Sequence, residues 1–295
     1  MEETTAKRLA VIRHLFEKGK ALSYEGEPLN GLCLLPFHDS IEMFMKLCAD
    51  KRNVKVPRNT MFAGYFDFLP DLQDKAQMLS LNDRRVSLKH HGQMPSSLDV
   101  ETSRINAISF FEHNTPVFFD CKLEDVSLEV LITYPEVKEY LELYHKYYSE
   151  KEFGHAIAQC KIAMKVFLAA YLKQYRRGAG KREGDNDWPA MYSKDLPRAD
   201  FNARTNQFLN AFREDILSLN EAIYIMNLGI NYFKYEEFIV MGPAIKQWPG
   251  NKEGEFQYDY YLGSGSKYSE ETAKACYDFV IETALKLMGS KIFLY

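Results

Sequence analysis

A chain of 295 residues that is 46% apolar, with 20 Phe and 19 Tyr, has material for one large helical domain or two ordinary ones, each with its own core. Its 26% of charged residues and net charge of −4 exclude a globally basic nucleic-acid binder, so any RNA contact has to rest on a local patch. No apolar run approaches the ~20 residues of a membrane span, and the charged N-terminal stretch lacks the apolar centre of a secretory leader. The five scattered cysteines form no C-x-x-C pair, which points to reduced thiols in the cytoplasm and gives no metal knuckle.

In chain order, Leu9, Ile12, Leu15 and Phe16 mark one face of a first helix, about Thr4 to Leu22. A Gly- and Glu-rich turn leads to a second helix, about Leu32 to Ala49, with Leu34, Phe37, Ile41, Phe44, Met45 and Cys48 on one face. A basic loop with Lys51, Arg52, Lys55 and Arg58 follows, then an aromatic stretch holding Tyr65, Phe66 and Phe68. The next helix is expected from Asp71 to His91, with Leu72, Ala76, Leu79 and Val86 as its stripe. Gly92 suits its C-terminus, and Lys89, His90 and His91 complement the negative end of the helix dipole.

Ser96 or Ser97 caps a further helix that the spacing carries to about Asn114, before Pro116. The run from Pro116 to Thr133 is ambiguous in type. Helices over about 136–149 and 151–177, a Gly- and charge-rich loop over 178–197 and one long helical region over 199–238 come next. Residues 241–265 have room for a short hairpin, and a last helix runs from Ser269 to Gly289. The expected fold is all-α: a multi-helix bundle over residues 1–126 and a second helical region over 127–295, with little or no β-structure.

The chemistry concentrates in Arg84-Arg85-Val86-Ser87-Leu88-Lys89-His90-His91-Gly92. An Arg followed four to six residues later by a His is weak by itself, since chance supplies about one such match in a chain of this composition. Arg8 and His14 are a match of that kind, in a helix that reads as structural. The wider run RRVSLKHHGQMPS resembles the R-x-x-x-K-H-x-G-x-x-P stretch of a bacterial branch of the HEPN superfamily. The preceding run His38-Asp39-Ser40-Ile41-Glu42-Met43-Phe44 resembles that branch's second helix, and the resemblance spans roughly residues 5 to 115.

The resemblance implies a HEPN-like bundle and metal-independent RNA cleavage. It also implies a homodimer in which one His and one Arg per chain build a composite site, and a role as toxin or defence effector. It aligns best on Arg85 and His90, with Arg84 and His91 second. Arg84 and His91, seven residues apart, share a helix face, whereas Arg85 and His90 are about 140° apart on an ideal helix. Histidine can act as base or acid near neutrality, and arginine offers a fixed charge to phosphate oxygens. One departure is Val86, where the family often has a polar residue. It fits the alternative of a HEPN-like scaffold or sensor that binds a partner protein or nucleic acid without catalysis.

Lys89, Lys51, Arg52 and Arg58 are candidates for contact with RNA, as are Lys173, Arg176, Arg177, Lys181 and Arg182. Basic loops of this kind are more often simply solvated. Tyr65, Phe66 and Phe68 could stack on bases, although a place in the core is the commoner fate of such residues. Asp83 could pair with Arg84 or orient a His. Neither His145 nor His155 has a ligand partner at metal-binding spacing, so no metal and no cofactor is expected. Lys267 ends GSGSK, a Gly/Ser-rich loop without phosphate-loop spacing.

Overall fold

The computed structural model describes residues 2–176, 203–249, 256–262 and 268–289. The chain divides into two compact units, Met1–Leu131 and Ile132–Tyr295. Helices make up nearly all of the regular structure among the described residues, as the all-α reading expects.

The first unit contains α1 (Glu3–Ser23), α2 (Leu34–Lys51), the single turn α3 (Tyr65–Phe68), α4 (Lys75–His91) and α5 (Ser97–Phe119), joined by short 3-10 turns. The face foreseen on α2 is the centre of the core: Leu34, Phe37, Ile41, Phe44, Met45 and Cys48 are all fully buried. Phe44 meets Phe110, Phe111, Phe118 and Phe119 of α5 edge-on, with ring centroids 5.4 to 6.4 Å apart. Tyr65 and Phe66 belong to the same core, and Phe68 is partly exposed.

Two expectations for this unit need correction. Helix α5 does not stop at Asn114 but runs through Pro116 to Phe119, where Asp120 takes a left-handed conformation. An interior proline costs roughly 3 kcal/mol, and the burial of Phe118 and Phe119 against Phe44 offsets it. Asn114 adds to this by donating to Phe110 O and accepting from Gln73 N, both at 2.8 Å.

Helix α4 begins at Lys75 rather than Asp71, and its buried residues are Met78 and Leu81. Leu88 packs against the core from one helical repeat further on. Ala76 is exposed, and Leu79 and Val86 are half-buried. The inward stripe therefore runs Met78, Leu81, Arg85, Leu88, at the 3–4 residue spacing of one helix face, and places an arginine where a hydrophobe is expected.

The second unit contains α6 (Pro135–Ser149), α7 (Phe153–Arg176), α8 (Ala203–Asn227), α9 (Tyr232–Val240) and α10 (Glu270–Gly289). The hairpin anticipated in 241–265 is present as β1 (Ile245–Pro249) and β2 (Phe256–Tyr260), paired antiparallel with Ile245 opposite Tyr260. Among the described residues, the helical region read over 199–238 holds two helices. Gly229, at φ +70°, ends α8, and Asn231 caps α9 by accepting from Lys234 N at 3.1 Å.

Helix α7 is the inner element, with Ile157, Cys160, Met164, Phe167 and Tyr171 buried. Lys161 is buried on it as well and donates to Ile239 O at 2.5 Å and Pro243 O at 2.9 Å. All five cysteines are free, and burial pushes the Cys33 and Cys276 thiols up to about 11, leaving them unreactive. No described helix is long and apolar enough to cross a membrane.

Candidate functional site

The Arg/His segment is the last two turns of α4 and the turn that follows. Gly92 lies at φ +65° and donates to Leu88 O at 3.2 Å, an αL cap that only glycine adopts without strain. Met94 and Pro95 then pack on Gly31, where a Cβ would meet Pro95 Cδ at 2.8 Å. Ser96 caps α5 in a capping box with Asp99. The turn is thus fixed at both ends, and it sets where the C-terminus of α4 sits.

Against that frame the two arginines part company. Arg84 donates from Nε to Asp99 Oδ1 at 2.9 Å and from Nη1 to Ser103 Oγ at 3.4 Å, so it joins α4 to α5. Its partner is Asp99 and not the neighbouring Asp83, which is exposed. Arg85 is half-buried on the inward stripe, and its Nε is buried with no hydrogen-bond partner. Its charge bears instead on His38 and Glu42 of α2.

His38 is buried, stacked on Phe62 with ring centroids 4.7 Å apart, and its Nδ1 lies 3.4 Å from Asp39 Oδ1. Burial, and then the Arg85 charge, push its pKa below the ordinary 6.5, against the pull of Asp39 and Glu42. The ring is therefore neutral at pH 7. Burial works to raise the Glu42 carboxyl, but the bond from Lys46 at 2.6 Å, with His38 and Arg85, holds it below its usual value.

His38, Asp39 and Glu42 offer ligand atoms within 4.8 Å of one another, a spacing a metal ion could use. The charges argue otherwise: Glu42 is engaged by Lys46, and the Arg85 guanidinium opposes a second cation at the same place. The cluster is better suited to holding Arg85 and handling a proton than to ligating a metal.

His90, His91 and Lys89 are exposed at the helix end. The structure therefore brings Arg85 to His38 and Glu42, ties Arg84 into an ion pair, and leaves both motif histidines at the surface. His38 is the residue that the reading of motifs passed over, although the spacing Leu34, His38, Ile41, Met45 already puts it on the buried face of α2.

Among the other basic candidates, Lys51, Lys55 and Arg58 are exposed, while Arg52 pairs with Asp71 at 3.2 Å and lies over the Phe118 ring. Arg177, Lys181, Arg182 and Lys267, the side chains of Lys173 and Arg176, and the 178–197 loop lie outside what the structure describes. His155 stacks on Tyr147 and lies 2.9 Å from the Tyr260 hydroxyl, and His145 contacts Tyr144 and Tyr277, so both belong to aromatic packing. Arg8 of the chance match pairs with Asp50 at 2.6 Å.

No family model, no curated protein and no solved structure matches the chain.

Proposed function

We propose that the first unit is a HEPN-like, metal-independent RNA endonuclease, working in the cytosol as a toxin or defence effector, with Arg85 and His90 at its reacting centre. The observation that carries this reading is the contrast within one short segment. Gly92, Pro95, Ser96, Asp99 and Arg84 each have an architectural task, whereas Arg85 occupies a core-facing position with its Nε unsatisfied. An orphaned donor at that position costs the fold stability, and this is what supports a role for the charge beyond packing.

In the reaction, the RNA 2′-oxygen attacks phosphorus and loses its proton to a base, the P–O5′ bond breaks, and the 5′-oxygen takes up a proton. Histidine is suited to either transfer, and the guanidinium offsets the charge that builds on the phosphorane oxygens. Because Arg85 and His90 stand about 140° apart around the α4 axis, they do not converge within one chain. A composite site in which each chain supplies Arg85 to the partner's half of the centre removes that obstacle.

The test is incubation of the purified chain with RNA in EDTA. Cleavage that falls at least a hundredfold in both His90→Ala and Arg85→Met supports the reading. No cleavage by the unaltered protein, or equal cleavage by His90→Ala, sinks it.

One observation favours a second reading, a HEPN-like scaffold that binds a partner without catalysis: Val86, half-buried beside Arg85, adds no polar group to the site. In that case His90→Ala leaves the biological activity intact.

A further inference from the structure

Attack by a 2′-oxygen needs a base beside the cation that receives the phosphate. His90 does not serve the Arg85 of its own chain in this way, because the two stand about 140° apart around α4. The imidazole that does converge with Arg85 within one chain is His38. It lies on the buried face of α2, against which the inward stripe of α4 packs, and the Arg85 charge bears on it.

The ring is held as a base needs to be held. Phe62 stacks on it and fixes its plane. Asp39 Oδ1 lies 3.4 Å and Glu42 Oε2 4.0 Å from Nδ1, so the proton of the neutral ring belongs on Nδ1 and the lone pair on Nε2. Nε2 bonds to no described residue and, unlike Arg85 Nε, is not sealed from solvent. The charged groups that bear on the ring are Asp39 and Glu42 of α2 and Arg85 of α4, with Glu42 shared by Lys46. Burial and the Arg85 cation keep the ring neutral at pH 7, the form that accepts a proton.

We propose that His38 is the general base of the site, an assignment that rests on the RNA-cleaving reading of the first unit: its Nε2 removes the 2′-hydroxyl proton of an RNA whose phosphate sits on Arg85 of the same chain. As that proton passes to Nε2, the 2′-oxygen bonds to phosphorus and the P–O5′ bond breaks. The 5′-oxygen takes up a proton from a protonated His90 of a second copy. The products are a 2′,3′-cyclic phosphate and a free 5′-hydroxyl, and His38 then releases its proton to water. Asp39, bonded to the far nitrogen of the ring, orients the base and supports the imidazolium that forms.

The test is the rate of cleavage of a single-stranded RNA by the full chain in EDTA, followed from about pH 5 to about pH 8. The unaltered chain should gain rate as His38 loses its proton, with the midpoint of this acid limb below 6.5. His38→Gln should lower kcat about a hundredfold and leave KM within about twofold, as the loss of a base does. Asp39→Asn, at an exposed position, removes a charge that raises the His38 value and should move the acid limb to lower pH. Cleavage that is unchanged in His38→Gln but lost in His90→Ala overturns the proposal and leaves the RNA-cleaving reading standing. A rise in KM that accounts for the whole loss in His38→Gln also overturns it, because the ring then only helps to bind. If His38→Gln does not fold, Asp39→Asn decides: an acid limb that stays in place overturns the assignment. No cleavage by the unaltered chain overturns both.

Discussion

Arg84 Nε donates to Asp99 Oδ1 at 2.9 Å, and the same carboxylate closes the capping box with Ser96, so one side chain joins the end of α4 to the start of α5. Hydrogen bonds from Ser96, aided by Arg84, hold the Asp99 carboxyl below its ordinary value. This stabilisation is present at neutral pH and is lost as the pH falls through the lowered value. Arg84→Ala should destabilise the first unit by about 1 kcal/mol, given the partial exposure of both partners. RNA cleavage should survive in that variant. Urea denaturation alongside the cleavage assay checks both, and loss of cleavage in a folded Arg84→Ala protein would transfer the catalytic assignment to the runner-up pair.

Arg85→Met should do the reverse. Methionine fits between Leu81 and Leu88 on the inward stripe and removes a buried donor that nothing accepts. Stability should stay level or rise by about 1 kcal/mol, while cleavage disappears. The His38 ring should also titrate closer to 6.5, because the cation that lowers it is gone. Thermal melts and NMR titration of the imidazole read these effects separately. A strong loss of stability would mean that Arg85 is part of the architecture.

How much of this was legible in the sequence differs from one element to the next. The α2 face, the Gly92 cap and the Ser96 cap were legible because each rests on local spacing or on one backbone requirement. The end of α5 was not, since the reward for continuing past Pro116 comes from Phe44, far away in the chain. The phase of α4 was missed because Leu72 and Ala76 completed a plausible stripe, while the true one contains a charged residue. Arg85 stood out in the sequence as a candidate, but its inward placement beside His38 depends on how α4 packs on α2, which no spacing within α4 contains.

The pH dependence of the first unit should carry the mark of His38. Its folded value lies below 6.5, so the folded state binds this proton less readily than the unfolded chain does. Its contribution to stability is therefore complete above about 6.5 and declines as the pH falls through the lowered value. His38→Phe keeps an aromatic ring against Phe62 and removes the titration. Melting temperatures between pH 7 and pH 5 should fall less steeply in that variant, and identical slopes would locate the acid sensitivity elsewhere.

In the second unit the corresponding buried charge is Lys161. Burial lowers its pKa to about 8, yet its amine still donates to Ile239 O and Pro243 O, tying the end of α9 and the approach to β1 onto α7. Protons bind the unfolded side chain more readily, so the cost of burying this lysine in its charged form is absent above the ordinary 10.5 and is fully felt once the pH has fallen through about 8. At neutral pH the lysine remains charged, and the two carbonyl contacts offset part of its desolvation. Lys161→Met leaves both carbonyls without their donor and should cost about 1–3 kcal/mol at pH 7. Hydrogen exchange should then quicken in 239–249 before it does in α10. Uniform quickening across the unit would indicate that Lys161 supports the core as a whole and does not act as a local clamp.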